Sequence, residues 1–301
     1  MNYLGTSGIH VLGTEERNPA VYLPGASCVI NGRTFSPCSS TGNTIQRRKL
    51  TLKNPTEGQY YGAVYQVADG MTRSYNALLT SIQRRARSGM TVLANYTWAH
   101  CIDDGARTTS FNSARSVPER RRENRGNCDS DRRHNFNLSA VYPSPQFSNR
   151  AVRMLATGWR IGGIVRITSG AYLTINSGLD NALTATSDRP VNQVLPSPYA
   201  AKKSVASWLN PAAFAQPATG TYGTMGVSNV LGPGNITIDT NLTRLFHIND
   251  RQSVEFRVEA FNLANHVNPD DPTVVLTNAR FGQILSAKAP RIMQLALKYV
   301  F

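Results

Sequence analysis

The sequence predicts an all-β protein, an antiparallel transmembrane β-barrel segment of about eight strands with short periplasmic turns and long extracellular loops. Three observations predict it. Strand-like segments alternate apolar and polar residues with a period of two. Connections alternate between short and long along the chain. The chain ends in R-I-M-Q-L-A-L-K-Y-V-F at 291–301, with Met293, Leu295, Leu297, Tyr299 and Phe301 on one face and Ile292, Gln294, Ala296, Lys298 and Val300 on the other. That length suits a tilted strand crossing bilayer hydrocarbon, for which roughly 9–11 residues suffice. Ending on Leu295, Leu297, Tyr299 and Phe301, the strand resembles the C-terminal signal by which a barrel-assembly machinery recognises bacterial outer-membrane barrels, and the last two residues suit an aromatic girdle. An edge strand of a soluble sheet would read the same from this segment alone.

The totals narrow the class. A chain of 301 residues holds one large β domain or two ordinary ones. With 41% hydrophobic residues, no run approaches the ~18 apolar residues of a membrane helix. This excludes helical spans but not barrels, whose lumen-facing polar residues interrupt each strand. The formal charge is +14, from 32 Lys and Arg against 18 Asp and Glu. The basic residues cluster in presumptive loops, at Arg47-Arg48-Lys49, Arg84-Arg85, Arg120-Arg121-Arg122 and Arg132-Arg133. They form neither one basic helix nor a recognisable nucleic-acid module, so the expected partner is outer-membrane lipid or a polyanionic ligand, not nucleic acid. The opening M-N-Y-L-G-T-S-G-I-H lacks the pattern of an export signal. A barrel must be exported, so the expectation is that residue 1 is not the natural start.

In order, residues 2–12 begin as if in mid-strand, and 13–70 read as a loop rich in Pro, Gly, Ser, Thr and Asn. A strand-like run at 74–85 and a turn at 87–89 lead into M-T-V-L-A-N-Y-T-W-A, a hairpin whose far end carries Tyr96 and Trp98. After a polar loop from 101 to about 132, Phe136, Leu138, Ala140 and Tyr142 share one strand face. A strand is expected over about 155–168, with Trp159, Ile161, Gly163, Val165 and Ile167 opposite Arg160, Gly162, Ile164, Arg166 and Thr168. A third long loop, 169–234, precedes a hairpin turning at Asn249-Asp250. Its strands place Ile236, Ile238 and Leu242 opposite Asp239 and Asn241, and Val254, Phe256 and Val258 opposite Glu255, Arg257 and Glu259. Every long connection falls at one end and every short one at the other. That is the habit of transmembrane barrels, in which charged lumen residues stay wet.

A series of motifs resembles one family. They are Y-L-G-T-S-G-I-H at 3–10, N-P-A at 18–20, S-Y-N-A-L at 74–78 and L-A-N-Y-T-W-A at 93–99. D-R-R-H-N-F-N-L-S-A-V-Y at 131–142, G-W-R-I-G-G-I at 158–164 and D-R-P at 188–190 follow. W-L-N-P-A-A-F at 208–214, G-P-G at 232–234 and E-A-F-N-L-A-N-H at 259–266 complete the series. In this order they resemble the Oar-like TonB-dependent transporter barrels of Acidobacteria and relatives. The resemblance implies the C-terminal portion of a larger outer-membrane barrel over 1–301, with plug and signal peptide outside this stretch and contact with the TonB system only through that plug. It implies an uptake role for the wall and loops. A small stand-alone barrel serving as adhesin or surface scaffold, and a soluble basic β-protein binding polyanions, are the alternatives.

No enzyme is expected, since no catalytic constellation is present, and no cofactor. Cys28, Cys38, Cys101 and Cys128 lack paired zinc-ligand spacing. Loop membership favours disulfides Cys28–Cys38 and Cys101–Cys128, one of three possible connectivities. The five His are scattered, and Asp103-Asp104 and Asp270-Asp271 read as solvated turns in preference to Ca²⁺ sites.

Overall fold

A computed structural model describes residues 1–104, 121–185 and 190–301. Arg120, and the Asp188-Arg189 pair of the D-R-P motif, lie outside the described residues. Eight long strands form one antiparallel meander: β1 Asn2–Glu16, β2 Tyr65–Arg85, β3 Thr91–Asp103, β4 His134–Pro143, β5 Trp159–Thr168, β6 Asn235–His247, β7 Ser253–Phe261 and β8 Ile292–Val300. Each pairs with the next in sequence, and the two-residue strand Gly126–Asn127 adds to β3. Among the described residues, β1 and β8 are the two edges of this sheet.

The short connections are tight for local reasons. Between β2 and β3, Gly89 takes φ +79°, a left-handed conformation that costs glycine nothing. The amide of Gly89 donates to Ala86 O at 3.0 Å and that of Ala86 to Met90 O at 2.9 Å, closing the hairpin. Between β6 and β7, Ile248 and Gln252 close a second one at 2.9 Å.

Several expected boundaries move. The stretch 13–70 is not all loop, because β1 continues to Glu16 and β2 begins at Tyr65, pairing Glu16 with Tyr65. At 21 residues, β2 reaches on the order of 70 Å at about 3.4 Å per residue, so its first half stands well above any bilayer. Asp103 belongs to β3 and not to the following loop. The strand expected from about 155 starts at Trp159, and Arg150–Ala156 is a short helix capped by the Asn149 side chain, which accepts from the amides of Ala151 and Val152.

The hydrophobic core lies off the sheet. Ile175, Val191, Leu209, Phe214, Val230 and Phe281 pack together from the connections 169–234 and 262–291, with Phe214 edge-on to Phe281 at 5.4 Å. Composition alone reads these connections as loops; they form a packed cap over one end of the wall.

Candidate functional site

Cross-strand partners share a sheet face, so the ladders sort the side chains into two surfaces. One row runs Ala94, Leu138, Val165, Ile238 across β3 to β6. Another runs Tyr142, Ile161, Leu242, Val258, Leu295 across β4 to β8. This face is apolar nearly throughout and open to its surroundings, with Leu295 72% and Leu297 73% exposed. An apolar surface spanning the six strands β3 to β8 is not stable in water and is matched by lipid.

The opposite surface carries the polar rows. Asn95, Asn137 and Arg166 form one, and Asn241, Glu259 and Gln294 another. Arg257 sits between Glu255 at 2.5 Å and Glu259 at 3.4 Å, while the Gln294 amide donates to Glu259. Such charges are tolerable only where water reaches them. Gly162 opens a hollow here of about 340 Å³, lined by Ser139, Val141, Ile164, Asp239, Asn241, Glu259 and Phe261. A Cβ at 162 would meet Asn241 Oδ1, so a larger residue there requires the Asn241 amide to turn away.

Aromatics flank the apolar band. At the short-turn end lie Trp159 and Phe246, both under the Arg244 guanidinium at 5.4 and 4.7 Å, and Tyr299 stacked on Phe301 at 5.9 Å. Toward the cap lie Tyr96, whose hydroxyl is 2.7 Å from His134 Nδ1, and Trp98. The candidate assembly residues Leu295, Leu297 and Tyr299 point to the lipid-matching face at the edge strand, and Phe301, just past its end, stacks on Tyr299.

The cap is held by buried polar groups that sequence reasoning missed. Arg47 is fully buried and donates to Asn43 Oδ1, Val21 O, Ser40 O and Leu183 O at 2.7–2.9 Å, tying 17–64 to 169–234. Burial lowers its pKa from the ordinary arginine value, partly offset by Asp180. Arg48 meets Glu16 at 2.7 Å, both buried. Arg47 and Arg48 are thus structural, which corrects, for these two residues of the Arg47-Arg48-Lys49 cluster, the expectation that they face lipid phosphates or a polyanion. Arg133 likewise contacts His100 at 2.8 Å and lies over the Tyr172 ring.

Three loop asparagines, two of them within the quoted motifs, have a shared role. Asn18 of N-P-A donates to Gly62 O at 2.7 Å and accepts from the Leu50 amide at 2.8 Å. Asn262 of E-A-F-N-L-A-N-H exchanges bonds with the His266 backbone, and Asn268 does the same for Ile236. Each closes a loop by satisfying backbone groups that no strand partner reaches. That signal was present in the motifs, although their spacing did not reveal it.

The remaining candidate residues fall as follows. Cys28 is joined to Cys38 and Cys101 to Cys128, with Cα separations of 5.2 and 5.4 Å. Asp104 accepts from the Thr72 amide at 2.6 Å, and Asp103 pairs with Arg73 at 3.3 Å, so both carboxylates bind the chain itself and are not solvated turns. Asp270 and Asp271 line a polar pocket of about 170 Å³ with Arg132 and Lys288. A hydrogen bond with Ser286 lowers the Asp270 pKa, whereas burial raises that of Asp271 against the pull of Arg132. No cluster of three or more His, Cys, Asp or Glu suited to a metal ion occurs among the described residues.

An antiparallel meander with a lipid-matched face, a wet charged face, short turns at one end and a folded cap at the other defines the wall of a transmembrane β-barrel. A family model described as an outer membrane beta barrel domain matches residues 1–294, and the chain belongs to that family. Its location is the outer membrane. No curated protein and no solved structure matches the chain.

Proposed function

We propose that this chain is the C-terminal portion of a TonB-dependent transporter barrel of the Oar-like kind, forming the wall and extracellular binding loops for uptake of a large solute. The observation that carries this reading is the state of the lumen face. An eight-strand barrel is just wide enough for its own side chains to fill the interior. Here the lumen-facing Ile164 is 39% exposed and Lys298 is exposed too, as suits one arc of a much wider barrel. The unpaired edges of β1 and β8 agree, because backbone groups at membrane depth need partners, supplied in this reading by further strands. Energy would arrive through a plug carried by the rest of the polypeptide, and Leu295, Leu297, Tyr299 and Phe301 would guide insertion by the barrel-assembly machinery.

The test is to read the DNA upstream of Met1 in frame and to immunoblot outer membranes for this sequence. The reading expects an open frame encoding more strands and a plug, and a polypeptide far larger than 32.9 kDa. A genuine start at Met1 and a heat-modifiable band at the mass of this chain alone would refute it, in favour of a small barrel acting as adhesin or scaffold.

A further inference from the structure

The connection 144–158 joins β4 to β5 at the short-turn end and contains a feature that neither wall nor cap requires. Its helix, Arg150–Ala156, is fixed at its last turn. The Arg244 guanidinium donates to Met154 O at 2.5 Å and to Leu155 O at 2.9 Å, and the Trp159 indole donates to Leu155 O at 2.8 Å. Arg244 and Trp159 are cross-strand partners, in one row with Phe256 and Leu297 on the lipid-matched face. The helix is therefore pinned to the outside of the wall, at the level of the lower aromatic girdle.

Its own residues divide by side. At about 100° per residue, Ala151, Val152, Leu155 and Ala156 fall on one side, and Arg150 and Arg153 on the other with Met154 at the border. Met154 and Leu155 are 68% and 69% exposed, and Arg150 and Arg153 are exposed as well. No acidic residue occurs anywhere in 143–158. A short helix with an apolar side, a cationic side and no carboxylate, continuous with a face already matched to lipid, has the makings of an interfacial anchor.

We propose that the helix Arg150–Ala156 is a phospholipid anchor of the periplasmic leaflet, with Val152 and Leu155 in the acyl-chain boundary and Arg150 and Arg153 on anionic headgroup phosphates. The long arginine stems allow the charges to reach back to the phosphate level while the apolar side inserts. The bonds from Arg244 and Trp159 orient the helix without drawing on either of its own arginines. The inference rests on the outer-membrane location and is independent of the transport reading.

The test uses the barrel extracted from outer membranes and returned to vesicles of phosphatidylcholine with phosphatidylglycerol. Nitroxide labels at Leu155→Cys and, separately, Val152→Cys are compared with one at Arg150→Cys. Labels at 155 and 152 should relax more with oxygen than with a water-soluble nickel chelate, and the label at 150 the reverse. In native mass spectra, Arg150→Gln with Arg153→Gln should lose bound phosphatidylglycerol several-fold and leave phosphatidylcholine unchanged. Assembly of each variant is checked by heat-modifiable migration, and the two apolar sites report independently. Nickel access at both 152 and 155 equal to that of a label at the cap residue Ser207 would overturn the proposal. So would unchanged phosphatidylglycerol retention in the double variant.

Discussion

Replacing Val165 with arginine, and separately its neighbour Ile164, tests the assignment of the two faces at a single step along one strand. Val165 lies in the apolar row between Leu138 and Ile238, whereas Ile164 lies in the wet row between Ser139 and Asp239. The ten residues of β5, tilted about 40°, span roughly 26 Å, close to the ~25 Å apolar band of such barrels. Val165 is one and a half residues from the strand's centre, or about 4 Å from the midplane after tilt. Arginine facing lipid at that depth costs about 2–4 kcal/mol. At 1.4 kcal/mol per tenfold, the folding equilibrium should fall about 30- to 700-fold. Ile164→Arg places the same charge in water beside Asp239, with an expected change within about 0.5 kcal/mol. The assay is reversible guanidinium unfolding in vesicles, followed by Trp fluorescence and heat-modifiable migration. Equal costs at both positions, or the larger cost at 164, would refute the assigned register and faces.

Three further outcomes are expected. Arg47→Ala should loosen the cap by about 3 kcal/mol or more, since the carbonyls of Val21, Ser40 and Leu183 lose their donors at about 1–3 kcal/mol each; limited proteolysis of intact membranes should then cut within 17–64 while the wall stays assembled. A non-reducing peptide map should join Cys28 to Cys38 and Cys101 to Cys128. Loop closure assigns the second pair, 27 residues apart, about 3.5 kcal/mol, to be read as a lower unfolding midpoint in Cys101→Ser with Cys128→Ser; a Cys28–Cys101 peptide would reject the pairing. Tyr299→Ala with Phe301→Ala should lower the fraction of chain that reaches the heat-modifiable state several-fold in cells, and an unchanged fraction would remove the assembly role of these residues.

The wall was legible because its determinants are local. A period of two at 134–142, 159–168 and 253–261 fixes which side chains share a face, whatever the partner strand. The ladders observed for β4 to β8 keep those faces. Boundaries were legible only where turn chemistry marks them. Gly89 and Asn249-Asp250 did so, while Pro- and Asn-rich composition hid the upper half of β2 and the end of β1. The helix at 150–156 was missed because seven residues carry too little periodicity to separate a helix from a strand lead-in.

The cap was not legible, and the reason is the distance over which its contacts act. Phe214 meets Phe281 across 67 residues, and Arg47 meets Leu183 across 136. A fully buried arginine and an exposed one have the same letter in the sequence, and only the partner carbonyls distinguish Arg47 from Arg150. By itself, then, the sequence determined the strand faces, the alternation of short and long connections and the outer-membrane β-barrel fold. Tertiary structure decided which loops fold together into the cap, and which basic residues are structural and which face outward. Those properties depend on groups brought together from distant parts of the chain, and no local pattern records them.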